Sequence, residues 1–181
     1  MVYIFLADGF EELEALSPVD VLRRAGIPVT TVGVGARTVT GSHGIPVTCD
    51  TTAGEAAPFG EMEMIILPGG MPGTTNLENS PIVQGALDQA AETGAWICAI
   101  CAAPSVLGHK GLLRGKQAVC FPGFEEPLEG AALSGENVCV DGRIVTAKGA
   151  GVALEFALTL VSCLKGDAAA RKIKETMQCS R

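Results

Sequence analysis

Short runs of apolar or β-branched residues, Val2 to Ala7, Val29 to Val34, Met64 to Leu67 and Trp96 to Ile100, alternate along this chain with stretches of helical periodicity. Strands that are apolar on both faces and alternate with helices require a parallel sheet covered on both sides, because each face must be buried against a helix layer. The intervening signals agree. Ala15, Val19 and Leu22 fall at i, i+4 and i+7, and Ala25-Gly26-Ile27-Pro28 then stops the helix. Pro81 starts a helix to Thr93 whose apolar face comprises Ile82, Val83, Ala86, Leu87 and Ala90. Ile45 to Cys49 reads as a shorter third strand, and Gln117 to Cys120 as another. Val138 to Val140 and Ile144 to Thr146, split by Asp141-Gly142, read as a hairpin. Val152 to Leu164 is apolar nearly all round and reads as a buried helix, followed by an amphipathic one from Asp167. The expectation is one α/β domain over 1–181, doubly wound, with a mostly parallel sheet and helices on both faces.

The totals narrow the function. Thirteen basic against twenty acidic residues give a net charge of −7, so no basic stripe is available for nucleic acid or an anionic membrane. No apolar stretch approaches the roughly 20 residues of a membrane span. Val2 to Ala7 lacks the basic leader of a signal peptide and runs directly into Asp8, Glu11 and Glu12. Seven cysteines, an odd number in a chain with ample core material, read as reduced thiols. A cytoplasmic protein is expected.

Ligands of open α/β sheets bind outside the carboxyl ends of the strands. Three such ends carry Asp8-Gly9, Pro68-Gly69-Gly70 and Cys101. Cys101 closes an apolar strand and is followed by Ala102, Ala103 and Pro104, small residues and a helix-starting proline that permit a tight strand-to-helix turn. The layout is analogous to a nucleophile elbow. Helix-dipole and free N–H groups there favour thiolate. An inert buried cysteine is the competing reading, since that is the usual fate of the residue.

Glu11 and Glu14, at i and i+3, extend the stripe formed by Ala15, Pro18, Val19 and Leu22, whereas Glu12 points elsewhere and is expected in solvent. A carboxyl group on the buried stripe stays protonated and can donate a hydrogen bond to a thiolate. Complementing the helix dipole is the simpler role for the same residues. Gly69 and Gly70 allow close backbone approach, so an N–H at Gly70 could join that of Ala102 as an oxyanion hole. The pattern is also an ordinary turn. Cys98-x-x-Cys101 is not a thioredoxin-like pair, because Cys98 lies inside a strand. It is not a zinc site either, because neither His43 nor His109 has a suitably spaced companion. No metal and no cofactor is expected.

Asp8 to Glu14, Pro18 to Ile27, Leu67 to Gly70 and Ala99 to Pro104, in this order and with Gly149 to Leu158 following, closely resemble the ThiJ/PfpI superfamily, and within it the subfamily of the Parkinsonism-associated protein. The resemblance covers essentially the whole chain. It implies a flavodoxin-like fold and a homodimer packed partly through the first helix. It implies a nucleophilic, oxidation-sensitive Cys101, a protonated Glu14 bonded to it, and oxyanion N–H groups at Gly70 and Ala102. Members are described as glutathione-independent glyoxalases acting on methylglyoxal, as protein deglycases, as peroxide-responsive protective proteins and as chaperones.

The chain departs from the pattern twice. Many members carry a histidine where this sequence has Phe121, which argues against a cysteine, histidine, acid triad and against protease activity. His43 stands where an arginine is expected after Ser42, either as a polar contact near the site or as a surface residue. The expected activity is conversion of small 2-oxoaldehydes through a Cys101 hemithioacetal, with Glu14 as acid and base. The alternatives are a sensor whose Cys101 is oxidised to sulfinate, and a structural or chaperone domain.

Overall fold

The computed structural model describes residues 1–179. The chain begins with β1 (Val2–Leu6), α1 (Glu12–Arg24) and β2 (Val29–Gly33), then the short strands β3 (Thr38–Thr40), β4 (Pro46–Thr48) and β5 (Thr51–Thr52). Next come α2 (Ala53–Ala56), β6 (Met64–Leu67), α3 (Gly73–Glu78), α4 (Pro81–Thr93), β7 (Trp96–Ile100) and α5 (Pro104–His109). The remainder is β8 (Gln117–Ala118), β9 (Ala132–Leu133), β10 (Val138–Asp141), β11 (Ile144–Ala147), α6 (Ala153–Lys165) and α7 (Asp167–Thr176).

The main sheet has the order β10-β11-β7-β6-β1-β2-β5 and is parallel throughout except for the β10/β11 hairpin. Its central strands bury both faces, and two apolar clusters result. One holds Phe5, Ile65, Leu67, Ile97 and Ala99 with the apolar side of α4. The other holds Ile4, Leu6, Ile66, Cys98 and Ile100 with α1 and α6. Alternate residues of each strand therefore serve opposite helix layers, as strand geometry demands. Each large side chain so buried contributes about 1.5–3 kcal/mol.

Several expectations need correction. The strand expected at 45–49 is present as Pro46–Thr48, but it pairs antiparallel with Thr38–Thr40 in a ribbon separate from the main sheet. Likewise Gln117–Ala118 pairs only with Ala132–Leu133, apart from the main sheet. Pro46 has no N–H to give a sheet interior, which suits a ribbon edge. The α6 helix is buried on one side only, through Ala153, Phe156, Ala157, Leu160 and Val161, while Leu154 is exposed. Pro18 lies inside an unbroken α1. It sits at the midpoint of the helix, and its missing N–H withholds the i+4 donor from the Glu14 carbonyl alone.

Candidate active site

The carboxyl ends of β1, β6 and β7 meet at one place. Cys101 follows β7 directly with φ +65°, one of two non-glycine residues with positive φ among the described residues. Such a conformation costs an L-residue about 1–2 kcal/mol. Its backbone is held on both sides: the Cys101 N–H donates to Ala147 O at 2.9 Å, and its carbonyl accepts from Phe121 N–H at 2.8 Å. The strained turn expected from Ala102-Ala103-Pro104 is therefore present, with Pro104 in the first turn of α5.

Glu14 comes from the first turn of α1 and is fully buried. Glu11 caps the helix, its carboxylate accepting from Glu14 N–H at 2.8 Å. Glu14 Oε2 accepts from Gly69 N–H at 2.8 Å. Glu14 Oε1 is buried without a hydrogen-bond partner among the described residues, and the carboxyl group lies against the Cys101 thiol. Gly69 makes this approach possible, because a Cβ there would stand 2.6 Å from Cys101 Cβ and 2.7 Å from Glu14 Oε2. Gly70, at φ +88°, packs as tightly on the other loop: a Cβ there would meet Glu11 N at 2.5 Å and Gly9 O at 2.6 Å. The loops after β1 and β6 are thus locked together, with Glu11 N–H donating to Gly69 O at 2.9 Å.

Burial pushes the Glu14 carboxyl up to about 7, with the Glu11 charge adding to the effect. Burial and the neighbouring Glu14 charge push the Cys101 thiol up to about 12, opposed by the N–H groups of Gly70 and Ala102. This differs from the thiolate expected from the helix dipole. The helix after Cys101 spans only Pro104–His109, and a full negative charge beside a buried sulfur outweighs the partial charge of a helix end. The two ionisations are coupled, because each group's charge disfavours the other's. With a proton on Glu14, the opposing charge is gone and the Gly70 and Ala102 N–H groups favour sulfur anion.

Glu12 is not in solvent as expected. Its carboxylate is buried under the loop between β3 and β4, accepting from His43 N–H at 2.8 Å and lying 2.7 Å from His43 Nδ1. Burial raises the Glu12 carboxyl, but the His43 side-chain and backbone hydrogen bonds outweigh it, leaving the group below its ordinary value. The His43 ring itself is 69% exposed, so it is both a surface residue and a polar contact. Its Nδ1 lies 3.9 Å from Glu11 Oε1, which makes His43, Glu11 and Glu12 one cluster. His109 pairs with Glu78. The position beside Cys101 in the chain's folded path belongs to Phe121, and a Cβ at Gly149 would stand 3.1 Å from its Cδ2 and 4.0 Å from Glu14 Oε1.

A groove of about 350 Å³ lies next to this constellation, lined by Phe121, Pro122 and residues 148–152. A larger one, about 560 Å³ between α6 and α7, contains none of the residues just described. The arrangement offers a strained thiol, a proton acceptor of near-neutral affinity, and two backbone donors. These are the parts of an addition reaction at a carbonyl carbon.

Residues 1–163 match the family described as DJ-1/PfpI. The Parkinson disease protein 7 homolog of Danio rerio is 38% identical over 176 residues, covering 94% of this chain and 93% of that protein. The glutathione-independent glyoxalase DJR-1.2 of Caenorhabditis elegans is 32% identical over 157 residues, covering 86% of this chain and 83% of that protein. The structure of oxidised Toxoplasma gondii DJ-1 superposes with a TM-score of 0.95 at 34% identity, covering 99% of this chain and 98% of that one. The flavodoxin-like α/β architecture is common to both. This chain belongs to the DJ-1/PfpI family.

Proposed function

We propose that this protein is a cysteine-dependent, glutathione-independent glyoxalase that converts 2-oxoaldehydes such as methylglyoxal to 2-hydroxy acids. The observation that carries the reading is the fully buried Glu14 carboxyl packed across Gly69 from Cys101 at the strained end of β7. The glyoxalase name of the C. elegans relative supports the substrate class. The thiol proton passes to Glu14 as sulfur adds to the aldehyde carbon, and Glu14 then protonates the resulting alkoxide, giving a hemithioacetal. The Gly70 and Ala102 N–H groups hold the developing negative charge. Glu14, again a carboxylate, takes the C1 proton and returns it to C2, while the hydroxyl proton moves from the oxygen on C1 to that on C2. C1 is thereby oxidised to a thioester and C2 reduced to a carbinol. Water cleaves the thioester, and one water is consumed per substrate with no external oxidant.

Without a histidine at Phe121, both acid and base roles fall to Glu14. Purified protein should produce lactate from methylglyoxal. Cys101→Ser should abolish this, and Glu14→Gln should reduce kcat/KM by about 10²–10⁴-fold, the usual worth of a positioned acid or base. Full activity in Cys101→Ser would overturn the proposal.

A second reading treats Cys101 as a peroxide sensor, and the oxidised state of the T. gondii relative favours it. In that role the Gly70 and Ala102 N–H groups and protonated Glu14 would hold a sulfinate. Peptide mass spectrometry after mild peroxide should find Cys101 modified ahead of the other six thiols. A homodimer belongs to the same proposal: Leu13 and Leu16 on α1 are 59% and 37% exposed, an apolar pair suited to a second copy. Sedimentation equilibrium of the wild type and Leu13→Glu measures this.

A further inference from the structure

The groove beside Cys101 differs in chemistry from the rest of the site. Phe121 is 46% exposed although it stands in the loop after β8, where its own N–H donates to Cys101 O at 2.8 Å. Phe124 meets its ring edge-on, with centroids 6.5 Å apart and planes at 74°. On the other side the ring edge lies against Gly149, where a Cβ would stand 3.1 Å from Phe121 Cδ2 and 4.0 Å from Glu14 Oε1. The backbone at Gly149 therefore separates the aromatic wall from Glu14 Oε1 by little more than the width of one carbon.

From that point a groove of about 350 Å³ runs along Phe121, Pro122, Ala150, Gly151 and Val152. Among its lining side chains only Lys148 is polar, and none accepts a hydrogen bond. A methyl substituent would leave most of this space to water against apolar walls. A planar apolar group would fill it and stack against the exposed ring of Phe121.

We propose that this groove is a substituent-binding subsite, and that the preferred substrates are 2-oxoaldehydes with a bulky apolar group, aryl above all. The proposal rests on the glyoxalase reading for its reacting end and adds the selectivity. Phe121 is the specificity-determining residue: its face contacts the substituent while the aldehyde carbon lies at Cys101 and the second oxygen-bearing carbon at Glu14. The aldehyde reacts as described above, so phenylglyoxal and one water give mandelate.

Two measurements on the full chain separate the subsite from the chemistry. The first compares kcat/KM for phenylglyoxal and methylglyoxal in wild type, Phe121→Ala and Phe121→Leu. The ratio of the two should fall about tenfold in Phe121→Ala, mainly through KM for phenylglyoxal, and Phe121→Leu should recover most of it because apolar bulk is kept; tenfold corresponds to about 1.4 kcal/mol of binding. The second follows iodoacetamide alkylation of Cys101 in the presence of mandelate or lactate. Mandelate should protect at about tenfold lower concentration than lactate in the wild type, and this advantage should vanish in Phe121→Ala.

An unchanged substrate ratio in Phe121→Ala together with equal protection by mandelate and lactate overturns the subsite. If Cys101-dependent turnover persists in that case, the glyoxalase reading survives alone. Phe121-dependent protection by mandelate without turnover of either aldehyde would establish the subsite and remove the glyoxalase reading.

Discussion

Glu14 and Cys101 approach each other across the Gly69 backbone, so closely that a single methyl group at Gly69 would stand 2.6 Å from Cys101 Cβ and 2.7 Å from Glu14 Oε2. The glycine acts as a spacer of minimum thickness. Gly69→Ala should therefore cost about 1–3 kcal/mol, the usual penalty of forcing an extra carbon into a packed interior. Urea denaturation measures the loss, and the reactivity of Cys101 towards iodoacetamide should fall with it because the carboxyl and thiol are pushed apart.

Stability should depend on pH through Glu14. Its folded-state value of about 7 exceeds the ordinary 4.5, so the native state binds more protons than the unfolded chain between those values. The stability contributed by protonated Glu14 is present below pH 4.5 and lost as pH rises through about 7. Glu14→Gln has no such ionisation. Relative to the wild type it should gain on the order of 3 kcal/mol across that interval, at 1.36 kcal/mol per pKa unit. Urea unfolding at pH 4.5 and pH 8 provides the comparison.

The Glu12–His43 contact should show the opposite edges. Glu12 is held below its ordinary value of 4.5, so its contribution is present above that value and fades as pH falls through the lower folded value. His43 is raised from 6.5, first by its hydrogen bond to Glu12 and then by the Glu12 charge. Its contribution is present below 6.5 and fades as pH rises through the folded value. His43→Ala should thus be most damaging between pH 4.5 and 6.5, where both groups are charged. Thermal unfolding across pH 4 to 9 would reveal a difference with a maximum in that interval.

What was legible in the residues follows from how local the causes are. Cys101 could be placed because an apolar strand, two alanines and a proline specify the turn within a few positions. Glu14 could be paired with the apolar stripe of α1 because helical spacing is itself local. Glu12 could not. Its burial is imposed by His43 and Ser42 on a loop about thirty positions away, and nothing in the helix itself announces that cover. The strands at 38–40 and 132–133 were equally hidden, being two or three residues long and mostly exposed. The thiol's ionisation illustrates the same limit: the helix start is visible in sequence, whereas the strength of the opposing Glu14 charge depends on a burial that only tertiary packing creates.

The central claim is that the ionisations of Glu14 and Cys101 are coupled, and the pH dependence of Cys101 alkylation tests it most directly. The site-specific rate, read by peptide mass spectrometry between pH 5 and 10, should rise in the wild type with an apparent midpoint near the value of about 7 that burial gives Glu14. In Glu14→Gln the step near 7 should disappear, leaving a single ionisation above the ordinary thiol range because burial of the sulfur remains. Identical profiles in the two proteins would contradict the account.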